Sequence, residues 1–477
     1  MPPTARATRS RRPRSGVGVV KALPRGPHSL TREQVADNQQ HRLGQAMLEL
    51  VGQKGYGATT VSEVVTRAGV SRKAFYEHYV NKEECFLAAY DAIAHDARHR
   101  VRRAYSEGED PDRMEGAVRA LFEIAAESPD AMRLATIEIA AVGEPGIERR
   151  ERAVLELGEL VEDCLRSGED SAALPPTVLR AMTGGLTRVI ATYLRRGRRA
   201  RPAVIVPELV RWVSSYHPAP SALDVALAGK RNGQNGAGAI GVGMGIGQSG
   251  GRAPGTLSPK PPLNGRRRAS RRSFAVSRSY VVHNQRARVL DAVTNLTASN
   301  GYLGLTIEDI AAEASVSLQA FYEHFESKED AFIVAYELGH ARGLSLVERA
   351  FAAASPDWRR GVRDGLGALM DYLASEPSFA HLSLLATLVA TPRTAELSTR
   401  GLATYAQLLT PGFEEAPRGN RPRPVIVDAT AGALHELFQH YAAQGRTCDL
   451  PDLRIDATYI ALAPFVGAKE AAQIALG

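Results

Sequence analysis

The chain contains its own duplicate, and this limits the folds open to it. Asn38–Tyr90 aligns with Asn284–Tyr336 without a gap at an offset of 246 residues. Roughly 20 of about 50 aligned positions are identical, the mark of an internal repeat. The densest block sets Ala74-Phe75-Tyr76-Glu77-His78-Tyr79 against Ala320-Phe321-Tyr322-Glu323-His324-Phe325. Further on, Ala120, Leu121 and Pro129 are echoed by Ala368, Leu369 and Pro377, and Gly184, Leu186, Tyr193, Gly197 and Arg198 by Gly432, Leu434, Tyr441, Gly445 and Arg446. The duplication therefore takes in a whole unit and not its head alone.

A chain of 477 residues is long enough for several domains. Between the repeats, residues 232–251 read NGQNGAGAIGVGMGIGQSGG, and Pro, Ser and Arg dominate from there to about residue 279. Such a composition predicts a flexible linker, and about 60 residues of it span roughly 40 Å, enough for the two units to lie side by side. Gly236, Gly238 and Gly241 do spell GxGxxG. No strand precedes them and no helix follows, so they do not form a dinucleotide fingerprint.

Charge is distributed unevenly. Residues 1–30 hold seven Lys or Arg and residues 225–283 hold ten, with no acid in either, so the rest of the chain carries −10 against an overall +7. Acidic bodies with basic arms suit a polyanionic partner. The arm candidates are Arg9, Arg11, Arg12 and Arg14, then Arg266, Arg267, Arg268, Arg271 and Arg272. No run of about 18 apolar residues predicts a membrane span, and Val17–Val20 is too short for a signal-peptide core. Cys85, Cys164 and Cys448 are odd in number and far apart, which predicts reduced thiols and a cytoplasmic, nucleoid-associated location. P-loop, HExxH, GxSxG and zinc-type cysteine signatures are absent, so no enzyme, cofactor or metal site is expected. His95 and His99 stand four apart, but with no third ligand in reach they read as solvent-facing.

Periodicity predicts helix almost throughout. Thr31 to Gln34 reads as a capping box, and Leu43, Met47, Leu50 and Val51 follow at helical spacing until Gly55. Val178–Leu194, Pro207–Val213 and Val425–Tyr441 repeat apolar residues every three or four positions. Thr60 is placed to cap a short helix, Val61–Ala68. Gly69 suits a tight turn with positive φ, and Val70 plugs the angle. Ser71 then caps a second short helix in which Ala74, Phe75 and His78 face one way and Arg72, Lys73 and Tyr76 another. This is the pattern of a helix-turn-helix, whose second helix enters the DNA major groove. Asn81 caps a further helix opening with Lys82, whose N-terminus and ammonium suit a phosphate. The second unit repeats the scheme with caps at Thr306, Ser317 and Ser327, and with Lys328.

The arrangement G-Y, then T-[VI]-x-x-[VI], then A-x-V-S-x-x-A-F-Y-x-H-[FY]-x-x-K-E resembles the N-terminal domain of tetracycline-repressor-like (TetR family) regulators, and does so twice. The resemblance covers about 60 residues per unit. It implies a three-helix DNA-binding head followed by a helical domain that dimerises and often encloses an inducer. By position it assigns phosphate contacts to Thr60, Tyr76, His78 and Lys82, and to Thr306, Tyr322, His324 and Lys328. Arg72, Lys73, Leu318 and Gln319 face base edges, and Ser71 and Ser317 complete the DNA-contacting set.

The expected fold is all-α with two tandem units. It divides into a basic arm (1–30), a first head (36–96, helix-turn-helix 60–79), a first helical regulatory domain (97–217) and a linker (218–281). A second head (282–342, helix-turn-helix 306–325) and a second helical domain (343–477) complete it. The expected function is sequence-specific transcriptional regulation, as a repressor, with double-stranded DNA as partner and a small-molecule inducer in the helical domains. Segments near 176–216 and 424–466 are expected to form a shared four-helix interface, making an internal pseudo-dimer, with a homodimer as the alternative assembly. The competing expectation is an architectural DNA binder that depends on its arms. The heads are not equivalent: Arg72-Lys73 becomes Leu318-Gln319, and the net charge falls from +1 over residues 38–90 to −5 over 284–336. Arg and Lys favour guanine and Gln favours adenine, so an asymmetric operator follows.

Overall fold

The computed structural model describes residues 31–108, 113–165, 174–195, 202–216, 278–387, 390–415 and 424–477. The basic segment 1–30, and residues 217–277 with Arg266, Arg267, Arg268, Arg271 and Arg272, lie outside the described residues. Every regular element among the described residues is helical. None of their helices is long and apolar enough to cross a membrane, and they contain no cluster of three metal-ligating side chains, His95 and His99 included.

The first head consists of α1 (Arg32–Lys54), α2 (Val61–Ala68), α3 (Arg72–His78) and the start of α4 (Lys82–Glu107). Thr31 forms the expected capping box with Gln34. Leu43, Met47 and Val51 of α1, Val64 of α2, Phe75 of α3 and Phe86 of α4 are fully buried together. Removing a side chain of that size from water stabilises the head by about 1.5–3 kcal/mol. Leu134 and Ile139 join the same core from α6 (Pro129–Thr136) and the 3-10 turn after it (Glu138–Val142), and so tie the head to its body. Glu138 completes the tie by accepting from the Tyr56 N–H at 2.8 Å and pairing with Arg133 at 3.1 Å.

The first body comprises α5 (Arg113–Glu127), α6, α7 (Glu144–Leu165), α8 (Pro176–Arg195) and α9 (Pro202–Ser214). Periodicity starts the last of these at Pro207, but the helix begins five residues earlier and carries Pro207 inside it. Pro202 opens it, a position where a missing N–H breaks no helical bond.

The second unit repeats these elements. Its head is α10 (Arg278–Gly304), α11 (Ile307–Glu313), α12 (Leu318–His324) and α13 (Lys328–Ala353). The 246-residue offset maps α3 onto α12 and α4 onto α13 end for end. Gly301 kinks α10 at φ 70°, ψ 156°, where its counterpart Gly55 has φ 84°, ψ 163° and ends α1. The body follows as α14 (Trp358–Ser375), α15 (Pro377–His381), a π turn (Leu382–Ala386), α16 (Pro392–Ala406), α17 (Pro411–Glu415), α18 (Pro424–Ala443), α19 (Arg454–Val466) and α20 (Ala468–Leu476).

The units meet along α8 and α18, which are the same element of the repeat at an offset of 248 residues. Glycine sets how closely they cross. A Cβ on Gly184 would lie 2.1 Å from the Glu436 Cβ, and one on Gly432 would lie 2.8 Å from the Arg188 Cβ. Positions 184 and 188 correspond to 432 and 436, so the two contacts are reciprocal, as a two-fold relation between the helices requires. Gly185 likewise makes room for the Trp212 ring and the Ala429 carbonyl. Around the crossing, the Trp212 indole donates to Thr430 Oγ1 at 3.0 Å, the Tyr216 hydroxyl donates to the Ile460 carbonyl at 3.0 Å, and the Tyr459 hydroxyl donates to the Tyr216 carbonyl at 2.7 Å. The heads also approach at equivalent positions, a Cβ on Gly57 falling 3.5 Å from Leu303 Cδ1.

Two glycine substitutions should therefore move stability in opposite directions. Gly184→Ala forces α8 and α18 apart and is expected to cost about 1–3 kcal/mol, as overpacking does. Gly44→Ala adds a methyl where nothing lies within 4 Å inside α1 and is expected to stabilise by about 0.5–1 kcal/mol. Calorimetric unfolding of the two variants beside the parent chain checks both signs.

Candidate nucleic-acid interface

Each head presents a helix-turn-helix whose corner is held by its backbone. Gly69 ends α2 in the left-handed region (φ 59°, ψ 37°), and the Val70 N–H donates back to the Val65 carbonyl at 3.0 Å. In the second head Ser315 holds that conformation at φ 51°, with the Val316 N–H on the Ala311 carbonyl at 3.0 Å. A side chain in this region costs about 1–2 kcal/mol, which glycine avoids. Arg42, unremarked in the sequence, donates from its guanidinium to the Ala68 carbonyl and, at 3.1 Å, to the Gly69 carbonyl. It closes the end of α2 from 26 residues upstream, a distance at which no local pattern reveals a partner.

The reading helices α3 and α12 are capped alike, Ser71 accepting from the Ala74 N–H at 3.0 Å and Ser317 from the Ala320 N–H at 3.1 Å. Phe75 and Phe321 are fully buried, whereas Tyr76 and Tyr322 are 48% and 57% exposed. Each Tyr ring is braced edge-on by the Phe before it, so the hydroxyl projects from a fixed base. Arg72 and Lys73 are exposed, Arg72 lying over the Tyr76 ring at 5.8 Å and Lys73 reaching Glu77 at 3.8 Å. Their counterparts Leu318 and Gln319 are exposed too, and the Gln319 amide donates to Glu323 Oε1 at 3.2 Å.

Three of the four other candidates have polar partners inside the head. His78 Nε2 lies 3.0 Å from Gln39 Oε1 of α1, and His324 Nε2 is buried with no hydrogen-bond partner. The Lys82 ammonium donates to the Tyr56 carbonyl at 3.0 Å and sits 4.0 Å over the Tyr56 ring. Lys328 donates to the Tyr302 and Leu305 carbonyls at 3.0 and 2.7 Å, with the Tyr302 ring at 4.3 Å. Partial burial lowers both lysine pKa values. Tyr56 and Tyr302, the tyrosines of the G-Y motif, thus serve as platforms for these cations.

Thr60 and Thr306 cap α2 and α11, and each brings a carboxylate to the place where a phosphate would approach. The Thr60 hydroxyl donates to Glu63 at 2.7 Å and the Thr306 hydroxyl to Asp309 at 2.5 Å. Glu63 also pairs with Lys54 at 2.5 Å, and hydrogen bonds from Lys54 and then Thr60 pull its pKa down to about 2. Position 54 is Asn300 in the second unit, so Asp309, held low chiefly by the Thr306 hydroxyl, has no lysine there. The second face is the more repulsive to a polyanion.

Two cavities lie in the bodies. One, of about 110 Å³, is inside the second unit among Leu366, Leu369, Leu402 and Phe438, with Tyr336 and His340 supplying polar atoms. The other, of about 180 Å³, lies under the first unit among Ile93, Leu121 and Leu157, and reaches the seam at Arg150, Gly184 and Glu436. His435 lines both. Burial, reinforced by Arg188 and Arg150, pushes its pKa down to about 3, and its Nε2 and the Glu436 Oε1 are buried without hydrogen-bond partners.

Two capped helix-turn-helix heads on helical bodies define an all-α protein of the DNA-binding class. Residues 45–89 and 289–333 each match the family model described as bacterial regulatory proteins, tetR family. Each unit therefore carries a TetR-type DNA-binding head, and the chain holds two such units in tandem. Among solved structures it is similar to the fatty acid degradation regulator FadR of Bacillus halodurans, at 15% identity and a TM-score of 0.34, over 37% of this chain and 94% of that one. It is also similar to FadR of Bacillus subtilis in complex with stearoyl-CoA, at 15% identity and 0.33, over 36% and 96%. A tetR-family protein of Rhodococcus RHA1 aligns at 20% identity and 0.32, over 37% and 94%. No curated protein matches the chain in sequence.

The left-handed corner gives a reciprocal test of the two heads. Ser315→Gly should stabilise the second head by about 1 kcal/mol, while Gly69→Ser should weaken the first by a similar amount. Amide hydrogen exchange along α11 and α2 reads each head by itself.

Proposed function

We propose that the chain is a repressor whose two units pair within one molecule, so that the heads read an asymmetric operator across successive major grooves. The observation carrying this reading is the reciprocal crossing of α8 and α18. It supplies inside one chain the isologous contact that two identical subunits make across a two-fold axis. In this reading residues 36–96 and 282–342 are the heads, 97–217 and 343–477 the regulatory domains, 1–30 the basic arm and 218–281 the Arg-bearing linker.

Tyr76 and Tyr322 take phosphates with Ser71, Ser317, Thr60 and Thr306 at the helix N-termini. Arg72 and Lys73 read guanine edges, and Gln319 with Leu318 reads an adenine and a thymine methyl. His78, Lys82 and Lys328 act first as internal braces that aim α3 and α12, and His324 packs against the Phe325 ring at the end of α12. The two body cavities hold small-molecule effectors, a reading supported by the unpartnered His435 and Glu436 atoms at the seam. One cavity is mainly apolar and the other has several charged residues in its wall, so the two units favour different ligands.

Selection from a randomised duplex pool tests the pairing and the reading residues together. The full chain should recover two unlike half-sites, one rich in guanine; recovery of perfect palindromes would overturn the proposal. Arg72→Ala with Lys73→Ala should relax the guanine-rich half-site alone, at about 1–3 kcal/mol per lost bidentate contact. Removing residues 1–30 should weaken binding and flatten its salt dependence while keeping the site preference. Loss of all preference with the arm would mark an architectural binder instead.

A further inference from the structure

The seam has one shape and two chemistries. Helices α8 and α18 keep Pro176/Pro424, Ala181/Ala429, Gly184/Gly432 and Leu186/Leu434 as identical pairs, so both surfaces share the glycine notch that lets them cross. Their polar residues differ at every position that bonds across the seam. Thr430 accepts from Trp212 where α8 has Met182, and Glu436 pairs with Arg150 where α8 has Arg188. Gln439 accepts from Arg150 at 3.4 Å where α8 has Ala191, and His440 Nδ1 lies 2.7 Å from Glu151 where α8 has Thr192.

We infer that the seam is a partner code: a first unit accepts a second unit and rejects another first unit. This rests on the internal pairing proposed above and adds what enforces it. Two first units could still cross at Gly184, but Arg188 of the other copy would replace Glu436 at that notch and face Arg150. The two-fold relation would repeat this guanidinium pair on the other side. The Trp212 N–H would meet a methionine, and Glu151, which also pairs with Arg180 at 2.5 Å, would lose His440. Trp212 is fully buried, and the Arg150 and Glu151 side chains are only 18% and 17% exposed, so water makes up little of the loss. Buried like charges and orphaned donors reject a wrong partner more strongly than a mere loss of contact does. Two second units fail for the opposite reason: each would bring Glu436 where Arg188 now packs on Gly432, with no Arg150 to meet it.

The test uses the full chain, co-expressed in two copies with different affinity tags, with light scattering for mass and thermal unfolding for the seam. The parent chain should run at 51.3 kDa with no capture between tags. Glu436→Arg should lower the unfolding midpoint by several degrees, and Arg150→Glu added to it should restore most of the loss. Giving α8 the second unit's residues (Met182→Thr, Arg188→Glu, Ala191→Gln, Thr192→His) in the Glu436→Arg background should double the mass and make the tags copurify. The code is overturned if Glu436→Arg unfolds at the parent temperature, if the charge swap fails to rescue it, or if the Glu436→Arg chain already pairs through unaltered first units. Doubled mass with cross-tag capture in the parent chain would instead overturn the internal pairing itself.

Discussion

The close approach of α8 and α18 at Gly184 and Gly432 is the constraint on which the relation between the two units depends. With no Cβ at either notch, each helix backbone lies against a side-chain stem of the other, Glu436 on one side and Arg188 on the other. Everything bonded across the seam is then within reach, including the Trp212 indole under Thr430 and the hydroxyls of Tyr216 and Tyr459 on each other's chain segments. A side chain at either glycine would separate the helices, and the buried donors would lose their acceptors, a loss that costs more than the bonds themselves contribute. Packing and polar satisfaction at the seam are therefore one cooperative unit.

The heads show how a duplicated frame can present different surfaces. Caps, buried phenylalanines and the left-handed corner are kept in both, so α3 and α12 are held in the same way. What changes lies on the outer face, where packing exerts no restraint: Arg72-Lys73 against Leu318-Gln319, and Lys54 against Asn300. Losing Lys54 matters beyond one charge, because it leaves the capping carboxylate of α11 without the cation that neutralises its counterpart in α2. The second head keeps the geometry of a reading helix with weaker attraction for the phosphate backbone.

Much of this was legible in the sequence because it is written in short-range signals. The Thr60, Ser71 and Asn81 caps, the Gly69 turn and the buried face of α3 each depend on residues within four positions of one another, and the duplication shows because these local signals recur at a fixed offset. The contacts that escaped are those made between distant segments. Arg42 closing α2, Glu138 holding the Tyr56 amide, and Arg150 meeting Glu436 join positions from 26 to 286 residues apart. Lys82 shows the limit well. Its place at a helix N-terminus suggests a phosphate, but the carbonyl and ring of Tyr56 lie nearer in the folded head. The periodic segment that starts at Pro207 falls short in another way, because α9 begins at Pro202 and continues through that proline.

Covalent linkage changes what pairing can do. Two separate subunits pair only above their dissociation constant, whereas units joined by a linker meet at an effective concentration set by the linker, in the millimolar range for short flexible ones. In the proposed arrangement pairing would no longer depend on how much protein a cell makes, and each half-site would be read by a dedicated head. Identical subunits cannot use such freedom, because any substitution appears on both sides of the axis at once. Once fused, one copy could exchange Arg188 for Glu436, one reading helix could lose its basic pair, and one cavity could become apolar, each without a matching change in the other. The asymmetries of seam, heads and cavities are then a single consequence of duplication within one chain, with the glycine crossing as the part that could not diverge.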